Sequence, residues 1–132
     1  MRSPTRARAA VVLVVVVLVG LAVQPFRQLA WTDGVGTLAY GAAAVAVAAL
    51  ALPRRGALLP GAIGTGLACA VEILQLTGVP AALSERFPPA ALLLGSSFDP
   101  VDVLLLIAGG VGAVLALSVP SRVAPASHAD AA

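Results

Sequence analysis

Lysine is missing altogether, so all eight basic residues of the 132 are arginines. Cysteine and histidine occur once each, as Cys69 and His128. A lone cysteine excludes an internal disulfide, and one cysteine with one histidine in a polar tail cannot assemble a zinc or haem site. No metal and no cofactor are therefore expected. Charged residues are scarce at 11%, against about 25% in soluble domains. A net charge of +2, without a basic stripe interleaved with aromatics, argues against nucleic acid as a partner.

What is abundant is apolar. Sixty per cent of residues are hydrophobic and the mean hydropathy is +1.02. So short a soluble chain cannot hide that much apolar surface around one core; a chain in lipid does not have to. The Ala, Gly and Arg bias points to a GC-rich bacterial genome, and hence to a bacterial cytoplasmic membrane as location.

Taken in order, the chain divides into four candidate spans. Arg2, Arg6 and Arg8 precede a Val- and Leu-built run over 9–24 that closes at Gln24 and Pro25. The small residues Gly20 and Ala22 would also suit a cleaved signal peptide, but the run is long for that and more spans follow, so a retained helix is preferred. Arg27 and Trp31 mark an interface. Thr32 or Asp33 is expected to cap a second span over 34–52, rich in Ala and Gly and so suited to close packing. Pro53, Arg54, Arg55 and Gly56 form a turn. The third span covers 57–77, with Pro60 tolerated in its first turns, and ends at Gly78 and Pro80. Residues 78–100 are read as one long connection, whose apolar middle (90–95) is too short to cross and lies at the interface or over the helix ends. The fourth span is 101–119, and 120–132 is read as a disordered tail.

The expected fold is thus an all-α integral membrane four-helix bundle, one transmembrane domain over 1–132. Four spans return both termini to one side. Arg2, Arg6, Arg8, Arg54, Arg55 and Arg122 fall on that side, and only Arg27 and Arg86 on the other. By the positive-inside bias both termini are cytoplasmic, and the long connection is outside.

One residue resists the apolar pattern. Glu72 sits inside the third span, about 7–8 Å below its outer end, where a carboxylate is costly unless compensated. Gln75 lies three residues on, on the same helix face. Asp99 and Asp102 fall in the first turn of the fourth helix, and Asp33 at the start of the second, so these polar groups converge on one level with Arg86. Each also has a plainer reading. Asp99 before Pro100 makes a good N-cap, Asp102 suits the helix dipole, Asp33 is a cap or interface residue, Arg27 meets headgroups, and Glu85 is solvated. For Glu72 the plain reading is a buried ion pair or hydrogen bond, with Arg86 as a candidate partner. The functional one is a proton carrier, acid/base or ligand contact, with Arg86 holding an anionic group. Cys69 reads as packing filler. Ser96 and Ser97 near Asp102 do not make a hydrolase, since no histidine is on that side and no nucleophile elbow is present.

The stretch Val71-Glu72-Ile73-Leu74-Gln75-Leu76, then Arg86, then Leu93-Leu94-Gly95-Ser96-Ser97-Phe98-Asp99-Pro100-Val101-Asp102 resembles a bacterial family of small membrane proteins known as domain of unknown function 2809. It is more remotely similar to the VanZ-like proteins, named after a teicoplanin-resistance factor. The likeness covers roughly 10–117. It implies four spans and places the family's motif on Glu72, Gln75, Arg86, Gly95, Phe98, Asp99, Asp102 and Asp33, with no reaction attached. Leu104, Leu105 and Leu106 stand where an aromatic or polar position would be expected.

The expected ligand-binding residues are then Glu72, Gln75, Arg86, Asp99, Asp102 and Asp33, with Glu72 and Asp102 the candidate catalytic groups if chemistry occurs at all. The ligand class favoured is an anionic membrane lipid or a lipid-linked envelope precursor. A structural or partner subunit, with homo-oligomers allowed, is the alternative. Proton-coupled export is a third class: small multidrug transporters share four spans and one membrane glutamate, but theirs is in the first helix, where this chain has none.

Overall fold

The computed structural model describes residues 6–95 and 97–120. Among them every regular element is helical. Four helices are long and apolar enough to cross a membrane: α1 (Arg6–Val23), α2 (Ala30–Ala51), α3 (Leu58–Leu74) and α6 (Pro100–Ser118). Between α3 and α6 lie two short helices, α4 (Val79–Arg86) and α5 (Ala91–Leu94). The tail expected over 120–132 lies, beyond Pro120, outside the described residues.

α2 is the hub. It packs on α1, α3 and α6, while α6 packs also on α3 and touches α1 only lightly. The reason is residue size. The buried face of α2 is Ala39, Gly41, Ala42, Val45, Ala46, Ala48 and Ala49, which lets neighbouring backbones approach closely, the usual basis of helix association in lipid. Where α2 crosses α6 the fit is reciprocal. A Cβ on Gly41 would run into the Leu106 carbonyl, and one on Gly109 into the Leu38 carbonyl. The α2–α3 contact has its own glycine, since a Cβ on Gly64 would lie 2.6 Å from the Ala44 carbonyl oxygen. Bulk apolar side chains point outward instead, among them Val14, Leu18, Leu67, Leu104 and Leu115. In lipid, unlike in water, that outward face costs nothing.

At the end holding the start of α1 and the end of α6, a dry cluster gathers Ala9, Val45, Ala49, Ala57, Ala113 and Leu117. Here the Arg8 guanidinium donates to the Leu117 carbonyl at 3.3 Å and to the Val119 carbonyl. Those carbonyls end a helix and have no partner within it, so a cation there is doubly favoured. Arg54 and Arg55, in the turn after α2, are at this end too, whereas Arg27 and Arg86 are at the other.

Two local expectations are corrected. α2 begins at Ala30, four residues before Gly34, and neither Thr32 nor Asp33 caps it; its N-cap is the extended Leu29, with no side-chain cap. A 3₁₀ turn over Gln24–Phe26, begun by Pro25, brings the chain round early. Thr32, already helical and buried, donates its hydroxyl back to the Leu29 carbonyl at 2.7 Å, with the Phe26 carbonyl at 3.0 Å. The connection after α3 is also more ordered than a loop. α3 tightens into a 3₁₀ turn at Gln75–Thr77, Gly78 takes φ +72°, and Pro80 sits in the first turn of α4. A second 3₁₀ turn, Pro88–Ala90, leads straight into α5. Within 90–95, Ala90 is buried and the Leu94 carbonyl accepts from Gln75 just beyond α3.

Candidate functional site

The end of the bundle opposite the Arg8 clasp is polar, and its centre is Glu72. The residue is 7% exposed, and its carboxylate accepts a hydrogen bond at 3.0 Å from the backbone N–H of Asp99. Asp99 is the N-cap of α6. Its own carboxylate accepts from the Val101 N–H at 2.9 Å, and Pro100 begins the helix. The capping residue thus satisfies one orphan donor of α6 with its side chain, and Glu72 satisfies the backbone donor of the cap itself.

Gln75 fastens the same segment one turn further on. Its amide nitrogen donates to the Leu94 carbonyl at 2.7 Å. The next residue, Gly95, has φ +64° and ψ −171°, a conformation that only glycine adopts readily. A Cβ there would stand 2.6 Å from the Gln75 amide nitrogen. Position 95 therefore favours glycine through its backbone, and any side chain there would also displace the Gln75 amide from Leu94. Two side chains from one face of α3 accordingly hold both ends of the strap over 94–99. Ser96, within that strap, lies outside the described residues; Ser97 is exposed.

α2 supplies the facing wall. Thr37 has one hydroxyl proton to share between Asp102 Oδ1 at 3.0 Å and the Asp33 carbonyl at 3.1 Å. Tyr40, a turn deeper on the same stripe, is half-buried. Neither Thr37 nor Tyr40 stood out in the sequence. Both lie on the stripe that Asp33 starts, at four and seven residues on, and that helical spacing is the signal that would have found them.

The expected set is thus only partly gathered. Glu72 and Asp99 meet directly, Gln75 holds the strap between them, and Asp102 joins through Thr37. The Asp33 side chain is exposed and contributes a backbone carbonyl. Arg86, in the last turn of α4, is exposed and forms no ion pair with Glu72 among the described residues, so the partner of the buried acid is a backbone amide. Among the described residues, two buried polar atoms have no hydrogen bond: Gln75 Oε1 and Ser84 Oγ. Cys69 is free and half-buried. No group of three or more acidic, His or Cys residues suited to a metal occurs among the described residues.

This geometry falls within a recognised segment. The family model described as "Protein of unknown function (DUF2809)" matches residues 26–110. The chain belongs to that family. The match takes in α2, α3, the strap and the first half of α6, and so every polar residue of the site; α1 lies outside it. No curated protein and no solved structure shows a significant match.

Proposed function

We propose that the protein binds the polar headgroup of an anionic amphiphile, a membrane lipid or a lipid-linked envelope precursor, at the end of the bundle built around Glu72. The remote resemblance to VanZ-like proteins favours the envelope precursor. The observation that carries the reading is the way Glu72 and Gln75 are used. Both are bonded to the strap, which is thereby fixed over the bundle end, while Arg86, at the same end, is exposed and forms no ion pair among the described residues. An arginine in that setting is suited to bidentate capture of a phosphate or carboxylate. The Gln75 and Ser84 oxygens add hydrogen-bonding capacity that the chain itself leaves unused.

In this reading the site faces outward. Arg6, Arg8, Arg54 and Arg55 lie at the opposite end, which the positive-inside bias assigns to the cytoplasm of a bacterium. Native mass spectrometry of the detergent-purified protein tests the proposal. The wild type should retain a phosphate-bearing lipid and Arg86→Ala should lose it. Equal lipid content in the two would refute it.

A second reading has its own support. The Glu72–Asp99 bond alone accounts for a buried acid, as a fastening that sets α6 against α3 in a scaffold or partner subunit. Glu72 and Asp102 substitutions would then lower abundance and thermal stability together, and stable variants lacking lipid would argue against it.

A further inference from the structure

α1 leans on α2 but barely meets α6, and the gap is an apolar groove of about 550 Å³. Val15 and Val19 on α1 form one wall, Gly112 and Ala116 on α6 the other, and Val35 and Leu38 on α2 the floor. We propose that this groove seats one hydrocarbon chain of the amphiphile whose headgroup binds at the Glu72 end. The inference rests on the headgroup reading for the identity of the molecule, and on the groove alone for the presence of the chain.

Three observations choose a hydrocarbon chain over other occupants. The groove lies within membrane-spanning helices, so a soluble ligand does not reach it. Its width suits a single chain. Spread over the roughly 12 Å from Val11 to Val19, the volume gives a mean cross-section of about 45 Å². A helix with its side chains needs about 80–110 Å², whereas a polymethylene chain is one carbon wide. Its ends are also unequal. Arg8 ties α1 to the end of α6 and, with the cluster around Ala9 and Leu117, shuts the groove on that side. The other end, at Val19 and Val35, opens toward the level of Arg27 and Asp33, where a headgroup would sit. A second apolar groove, between α3 and α6, spans Leu58–Thr65 against Ile107–Leu115 and does not extend to the polar end.

Gly112 lies on the α6 side of the groove. Gly109, one turn before it, is required by contact with Leu38, but a Cβ on Gly112 would meet nothing within 4 Å. Glycine is a poor helix former, and here no packing within the chain calls for it. Its effect is to keep the α6 wall of the groove low.

The full-length protein is exchanged into vesicles of phosphatidylglycerol or phosphatidylcholine, extracted in mild detergent, and its retained lipids are counted by native mass spectrometry. Gly112→Leu and Ala116→Phe plug the groove by different routes. Gly66→Leu is the matched control, since its Cβ also meets open space but on α3, away from the groove. Wild type and Gly66→Leu should hold one phosphatidylglycerol, and both plugged variants should lose at least five-fold in occupancy. If plugged variants bind as wild type does while Arg86→Ala loses the lipid, the groove is wrong and the headgroup reading survives. If both lipids are retained alike and plugging removes both, the groove stands and the anionic preference falls. A wild type stripped of all lipid overturns the inference.

Discussion

The Glu72 carboxylate and the Asp99 backbone N–H, 27 residues apart in the chain, meet at 3.0 Å where α3 ends and α6 begins. This contact explains how a buried acid is tolerated in an apolar helix. A charge-assisted bond to a backbone donor compensates part of its desolvation, and it spends a donor that would otherwise be orphaned. Removing the acid should therefore expose both costs.

Replacing Glu72 by Ala leaves the Asp99 N–H without its acceptor, at a cost of about 1–3 kcal/mol. Glu72→Gln keeps a carbonyl acceptor in the same place and should cost less. Thermal unfolding in detergent should rank wild type above Glu72→Gln above Glu72→Ala. An alanine variant as stable as the glutamine one would mean that the bond holds nothing.

Asp99 should behave as a cap rather than as a charge. Asp99→Ala removes the acceptor of the Val101 N–H and should cost about 1 kcal/mol, whereas Asp99→Ser, neutral but able to cap, should recover most of it. Hydrogen exchange at the first turn of α6 is the direct readout. Equal protection in the two variants would show that the carboxylate's charge matters instead.

The glycines of α6 should divide by what they touch. Gly109→Ala drives a Cβ against the Leu38 carbonyl and forces α2 and α6 apart, an overpacking effect of about 1–3 kcal/mol. Gly112→Ala meets open space and should be neutral, or stabilising by up to about 1 kcal/mol through helix propensity. Gly109→Ala should thus lower the melting temperature, while Gly112→Ala, three residues on, leaves it unchanged or raises it.

Much of this was legible in the residues, and the exceptions have physical causes. Long apolar runs punctuated by Pro53, Gly78 and Pro100 mark the four spans to within a few residues. The start of α2 was misplaced because the turn at Pro25 and the back-bonding Thr32 hydroxyl, not an N-cap, decide where the helix begins. The two short helices between α3 and α6 are not legible, because eight and four residues are too few for a periodic pattern to show. Glu72 was recognisable as the costly residue, but its partner was not. A sequence displays side chains, and Arg86 was the visible candidate; the donor that meets Glu72 belongs to the backbone of Asp99, whose availability depends on how the cap is built.

The sidedness of the bundle rests on arginine placement, and it can be tested directly. In a Cys69→Ser background, so that no native thiol competes, Ser97→Cys places a thiol on the exposed strap and Arg55→Cys one on the exposed turn at the opposite end. A thiol must be in water to ionise and react with a maleimide, and a membrane-impermeant maleimide reaches only the outer face of an intact cell envelope. With four described arginines at the Arg55 end against two at the strap end, the positive-inside bias puts the strap outside. Ser97→Cys should therefore label in spheroplasts, and Arg55→Cys only after the membrane is permeabilised. The reverse pattern would turn the Glu72 site toward the cytoplasm. An envelope precursor at the outer face would then be excluded as its ligand, whatever the lipid retained.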